Sequence, residues 1–67
     1  MKVEVRVFQN PEDSSYIVQT VIDDGDVRVG EFCLPGGQSL PEAEAMARSL
    51  IELSETGFDM RKLLPLV

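Results

Sequence analysis

The sequence predicts an α+β fold: a three- to four-stranded antiparallel sheet with one helix packed on one face. The element order is β-β-β-α, with a short C-terminal strand as an option. Residues 2–9 alternate apolar and polar side chains, as a half-buried strand does. Asp24-Gly25 lies between two segments rich in strand formers and is a strong hairpin signal. Residues 39–42 form a capping box that opens a helix with a periodic apolar stripe.

The length of 67 residues predicts a single domain over residues 1–67. A chain of this size buries only about 60% of its unfolded surface, so a self-associating surface or a stabilising partner is expected. The single Cys33 cannot form an internal disulfide and fits a reducing, cytoplasmic location. The sequence shows no targeting segment and no apolar run of roughly 20 residues, so we expect no membrane association.

Two strands are predicted before the hairpin. In the first, residues 2–9, Val3, Val5 and Val7 share one face while the charged residues share the other. The second strand is predicted over residues 15–22, after an acidic turn.

The third strand is predicted over residues 26–34. If Asp24-Gly25 is the two-residue loop, Asp23 lies opposite Asp26. Two like charges directly across a strand pair repel each other and destabilise the hairpin. This suggests that the carboxylates serve a function such as binding a partner.

The same register predicts an apolar patch on the face of the sheet that points away from the helix. It places Ile17, Val21 and Phe32 there, as a possible surface for a partner or a homodimer. A bulge at Gly30 is the alternative, and it would return Phe32 to the core.

The helix is predicted over residues 40–56 and ends before Gly57. Its apolar stripe should cover the sheet valines together with Ile22, Val27 and Val29. The stripe consists of Ala43, Met46, Ala47, Leu50 and Leu53.

Residues 58–67 have two interpretations. They form a fourth strand, or Asp59 caps one helical turn that Pro65 ends. Four of the last five residues are apolar, so we expect the segment to dock on the domain or on a partner.

Acidic residues dominate the charge, with 12 Asp and Glu against 6 Lys and Arg and a net charge of −6. Phosphates repel such a surface, which argues against direct nucleic-acid binding. The charge favours a basic protein partner instead, including one that itself handles nucleic acid. The alternative is that the charge only maintains solubility.

Five carboxylates in two predicted turns are the candidate partner-binding residues. Ordinary turn chemistry is the competing explanation, because Asp is common in turns. A calcium loop is a third, but the spacing departs from the EF-hand pattern and no distal Glu completes it. The five residues are Glu12, Asp13, Asp23, Asp24 and Asp26.

Catalysis is not expected, because the chain has no His to act as a base or to activate Cys33. The sequence therefore predicts no enzyme, no catalytic residues, no metal site and no cofactor.

The chain resembles the sheet-and-helix domain of HicB-type antitoxins over residues 14–52. The resemblance is carried by residues 15–18, Leu34-Pro35-Gly36 and residues 39–43. It implies a domain that neutralises a small basic toxin. The family loop commonly continues with Cys and an acid, where this chain has Gly37-Gln38, and no DNA-binding segment follows here.

In size, acidity and lack of catalytic residues the chain is also similar to phage-encoded inhibitors of the anti-CRISPR and anti-restriction type. This similarity implies a stoichiometric inhibitor that occupies a basic, nucleic-acid-handling surface. We take that as the leading prediction. A HicB-like antitoxin domain, or a structural protein that dimerises through its outer sheet face, is the alternative.

Overall fold

The protein is a three-stranded antiparallel sheet followed by one α-helix, which confirms the predicted α+β class and element order. The computed structural model describes the backbone of residues 1–66 and the side chains of residues 1–64. The strands lie side by side in chain order. The elements are β1 Lys2–Gln9, β2 Tyr16–Asp24, β3 Val27–Pro35, α1 Leu40–Glu55 and a 3-10 helix, Met60–Leu66.

β1 and β2 pair without interruption over all eight residues of β1. Two backbone hydrogen bonds of Asn10 close the turn between them. Its N–H donates to the carbonyl of Ser15 at 2.7 Å, and its carbonyl accepts from the N–H of Ser14 at 2.9 Å. Ser14 takes a φ of 62°, in the left-handed region, which tightens the turn.

The second hairpin has its loop one residue later than predicted. Asp24 pairs with Val27, so the two loop residues are Gly25 and Asp26. Gly25 is the first of the two loop residues and has a φ of 63°, a left-handed conformation that costs glycine little. The predicted pairing of Asp23 with Asp26 is therefore wrong.

A β-bulge interrupts β3 just after the hairpin. Asp23 pairs with Arg28 but Ile22 pairs with Gly30, so Val29 is an extra residue without a partner on β2. Because side chains alternate between faces along a strand, the extra residue exchanges the faces of everything that follows it.

Phe32 consequently lies opposite Thr20 on the core face and is only 3% exposed. The prediction that Phe32 belongs to an outer apolar patch is wrong, and the alternative of a bulge near Gly30 is confirmed. Val27 and Val29 stay 67% and 36% exposed, so the helix does not cover them as predicted.

Two segments share the cover of the core face. α1 packs mainly on β1 and β2, whereas the 3-10 helix packs on β3. Gly30 makes this second contact possible, because a Cβ there would lie 2.9 Å from a methyl carbon of Leu64. The buried core cluster consists of Val18, Ile22, Phe32, Ala43, Ala47, Leu50 and Met60.

The ends of α1 follow the sequence prediction closely. The hydroxyl of Ser39 caps the N-terminus by accepting the backbone N–H of Glu42 at 3.2 Å, and Pro41 lies in the first turn. At the C-terminus Thr56 is the cap residue, and Gly57 follows with a φ of 90°. This is the left-handed conformation that commonly ends helices.

The segment after α1 is a 3-10 helix and not the alternative fourth strand. Asp59 caps it, since its carboxylate accepts the backbone N–H of Arg61 at 3.1 Å. Met60 is 1% exposed and anchors the segment in the core. Val67, the end of the predicted strand, lies outside the described residues.

One polar side chain lies in the middle of this core. Thr20 is 0% exposed, and its hydroxyl has no hydrogen-bond partner among residues 1–64. An unpaired buried hydroxyl destabilises the folded state, because it loses its hydrogen bonds to water on folding.

We predict that Thr20→Val raises the free energy of unfolding by about 1 kcal/mol, because valine keeps the shape and removes the unpaired hydroxyl. Urea unfolding followed by circular dichroism measures this. Thr20→Ser is the control: it keeps the hydroxyl, removes a methyl and should be destabilising. A Thr20→Val protein less stable than the natural chain would contradict the assignment.

We predict that Met60→Ala lowers the free energy of unfolding by about 2–4 kcal/mol, because it empties a fully buried position. Lys62→Ala, an exposed change in the same 3-10 helix, should stay within about 0.5 kcal/mol of the natural chain. Equal effects of the two changes in chemical denaturation would show that the segment is not part of the core.

Candidate protein-binding surface

The two acidic turns lie at opposite ends of the sheet. Gln9 pairs with Tyr16 at one end of β2, and Asp24 pairs with Val27 at the other. The nine residues of β2 separate these ends by about 30 Å. The structure thus does not bring the five candidate carboxylates together into one site.

At the first end, the carboxylate of Asp13 is hydrogen-bonded within its own turn. Its carboxylate accepts the Ser15 hydroxyl at 2.6 Å and the Ser15 backbone N–H at 3.0 Å. These two hydrogen bonds lower the pKa of the Asp13 carboxyl. Its neighbour Glu12 is exposed, with its backbone N–H bound to the Asn10 side chain at 3.0 Å. Turn chemistry therefore accounts for Asp13 but not for the carboxylate of Glu12.

At the second end, Asp23 has cations beside it. It is half-buried, it lies opposite both Lys2 and Arg28, and its carboxylate is 3.6 Å from the Arg28 guanidinium. Arg28 also lies 3.9 Å from the carboxylate of Glu31. The charge of Asp23 is thus partly neutralised within the domain.

Asp24 and Asp26 differ from the other turn acids. Both are exposed, and neither forms an ion pair or a side-chain hydrogen bond among residues 1–64. Asp24 and Asp26 stand on either side of Gly25, so both exposed carboxylates lie at this end of the hairpin.

The 3-10 helix begins near this acidic end. The guanidinium of Arg61 donates to the Asp59 carboxylate at 2.8 and 2.9 Å. Asp59 raises the pKa of Arg61, and the more distant charge of Asp24 adds to that effect. Arg61 is thus committed mainly to Asp59, and it reaches Asp24 only through this weaker, longer-range attraction.

The face of the sheet away from α1 is only partly apolar. Val21 lies there as predicted but is 4% exposed, between Glu4 and Glu31 on the neighbouring strands. Ile17 is half-buried in a row with Phe8 and Pro35. With Phe32 in the core, the continuous patch expected from the sequence does not form.

An open cleft of about 460 Å³ lies beside this row and was not predicted from the sequence. Its titratable groups are Asp13, Tyr16 and the exposed thiol of Cys33. The lowered pKa of Asp13 makes it a poor general base near neutral pH. The lining residues are Asn10, Asp13, Ser15, Tyr16, Ile17, Cys33, Leu34, Pro35, Gly37 and Gln38.

The described part of the chain has neither a metal-binding cluster nor a helix that could span a membrane. Within the described side chains, no three His, Cys, Asp or Glu residues are grouped so that they could hold a metal ion. No helix in the described part of the chain is both long enough and apolar enough to cross a membrane.

Comparison with known proteins gives no relative: no protein-family model, curated protein or solved structure matches this chain. The resemblances to HicB-type antitoxins and to phage inhibitors are therefore not tested by it and stay predictions.

We predict that the Asp59 carboxyl titrates with a pKa of about 2, below its usual 3.8, because Arg61 donates hydrogen bonds to the ionised form. Since the folded state lowers this pKa, the stabilisation is complete above the unfolded value of 3.8 and is lost as the pH falls toward 2. Thermal unfolding between pH 5 and pH 2 should show the difference between the natural chain and Asp59→Asn shrinking over that window.

Ser49→Ala, an exposed change on α1 that alters no ionisable group, is the control and should not show this dependence. An Asp59 carboxyl that titrates near 3.8 in a carbon-detected NMR experiment would contradict the prediction.

Proposed function

We propose that this protein is a non-catalytic, acidic protein-binding module that presents its β2–β3 turn to a basic surface of a partner. The observation that carries the proposal is the pair Asp24 and Asp26, exposed and without an ion pair among the described side chains. In the leading version the protein is a stoichiometric inhibitor that acts in the cytoplasm.

Electrostatics supports a basic partner. The net charge of −6 gives a long-range field that raises the association rate with a positive surface. Asp24 and Asp26 sit on a tight turn beside the sheet, so little conformational entropy is lost when they are bound. The ion pair between Asp23 and Arg28 supports the base of the same turn.

Two carboxylates at the tip of a narrow hairpin are suited to a groove that normally holds phosphates, since Arg and Lys in such a groove bind either anion. This supports a nucleic-acid-handling protein as the target, as in phage inhibitors of the anti-CRISPR type. The proposal involves no direct contact of the chain with nucleic acid, metal or cofactor.

The alternative, a HicB-like antitoxin domain, also requires a basic partner, in that case a small toxin. The β-β-β-α order and the helix start at Leu40 favour it. A structural protein that dimerises through its outer sheet face is less well supported, because Phe32 is not on that face.

The test is a pull-down from a bacterial lysate with captured proteins identified by mass spectrometry at about 0.05 M and 0.5 M salt. We predict a basic partner captured at low salt and lost at high salt, because screening weakens exposed charge pairs. The double change Asp24→Ser and Asp26→Ser should reduce this capture by about tenfold or more.

The matched control is Glu44→Ser with Glu52→Ser, which removes the same charge from exposed positions on α1. It should retain the partner. Equal loss in both variants would mean that total charge and not the hairpin determines binding, and an unchanged partner in the hairpin variant would refute the proposal.

A further inference from the structure

β1 is an edge strand with neither a proline nor a bulge to block further pairing, and the charges of its outer face are what selects a partner. The sheet order makes β1 and β3 the two edges. β1 contains no proline, and its pairing with β2 runs from Lys2 to Gln9 without a bulge. Backbone groups alternate in direction along an antiparallel strand, so every second residue of β1 points its N–H and C=O to the open edge.

β3, in contrast, is protected. The bulge at Val29 interrupts the regular pairing of β3, and Pro35, which has no N–H to donate, ends the strand. Bulges and prolines are among the usual means by which natural sheets block their edges. The asymmetry indicates that the β1 edge is kept open.

We propose that β1 pairs antiparallel with β1 of a second copy of this chain, so that two three-stranded sheets join into one. The partner follows from the charge pattern. A pairing that keeps the core faces on one side must place residues of the same face opposite each other. On the outer face the candidates are Lys2, Glu4, Arg6 and Phe8.

Centring on Val3 sets Lys2 opposite Glu4 but pairs only residues 1–5 of the two chains. Among the registers that pair most of β1, only one satisfies these charges. With Val5 opposite its own copy, Glu4 lies opposite Arg6 twice, and Val3 lies opposite Val7 on the core face. Centring on Glu4 instead sets two carboxylates against each other and Lys2 against Arg6. Centring on Arg6 sets two guanidinium groups against each other. Opposite charges across a strand pair stabilise it and like charges destabilise it, so the register centred on Val5 is selected.

The packing of this edge agrees with the proposal. Val3, Val5 and Val7 are only half-buried beneath α1, and the second copy would add cover on their open side. Glu4 and Arg6 form an ion pair of 2.9 Å along the strand, so both side chains lie on the same face at the edge. In the proposed register the four charges of the two copies would alternate, so each Glu4 would keep its own Arg6 and gain a second one. Lys2 pairs with Asp23, so the β2–β3 turn lies at the Lys2 end of β1. The antiparallel arrangement therefore puts the β2–β3 turns of the two copies at opposite ends of the joined sheet.

The test uses size-exclusion chromatography with light scattering and sedimentation velocity on the full chain, over a concentration series. We expect the natural chain to form a dimer. Glu4→Arg and Arg6→Glu should each weaken the dimer by about tenfold or more, since each converts both opposite-charge contacts into like-charge contacts. The double change Glu4→Arg with Arg6→Glu should restore it, because the exchanged charges are again complementary in the same register.

A mixture of the two single variants tests the proposed register most directly. In the proposed register every contact between Glu4→Arg and Arg6→Glu chains is complementary, so the mixture should form a heterodimer that neither variant forms alone. Circular dichroism of each variant confirms that it is folded. A natural chain that stays monomeric to millimolar concentration, or a dimer that the single changes leave intact, would overturn the proposal.

Discussion

The extra residue at Val29 determines how the sheet meets the rest of the molecule. Without it Phe32 would point away from α1, and with it Phe32 lies opposite Thr20 in the core. The same shift turns Gly30 toward the core face, where its missing side chain leaves room for Leu64. The docking of the 3-10 helix, the composition of the core and the mixed character of the outer face therefore all depend on one bulge.

The same feature marks the limit of what could be predicted from the sequence. The alternation in β1, the strand formers of β2 and the capping residue Ser39 are local signals, and the structure confirms the elements that they predict. The hairpin register is not a local signal, because Asp24-Gly25 and Gly25-Asp26 both suit a two-residue loop. Moving that loop by one residue changes the partners of Phe32 but not its face, and the bulge alone turns Phe32 into the core. Met60 was missed because its burial depends on where the chain returns after α1 and not on any period in residues 58–67.

For the candidate surface, the sequence identified the acidic residues but not their separate roles. Asp13 is held by Ser15 and Asp23 by Arg28, so the fold itself uses these two carboxylates. Asp24 and Asp26 are also aspartates but make no such contacts among the described residues. The difference from Asp13 and Asp23 therefore becomes visible only in the folded structure. Because an acid already bound within its own domain has less to offer a partner, the proposed function depends on this difference more than on the net charge.

The divided cover of the core has a consequence for local unfolding. α1 protects β1 and β2, whereas β3 depends on a short 3-10 helix anchored by Met60. Detachment of that one segment would uncover the core face around Gly30 while the first hairpin and α1 stay packed. Such an opening is expected to cost less free energy than global unfolding, and it would expose the core face of β3 while its pairing with β2 persists. The docking of Met60 and Leu64 would then set how often that face of β3 meets solvent.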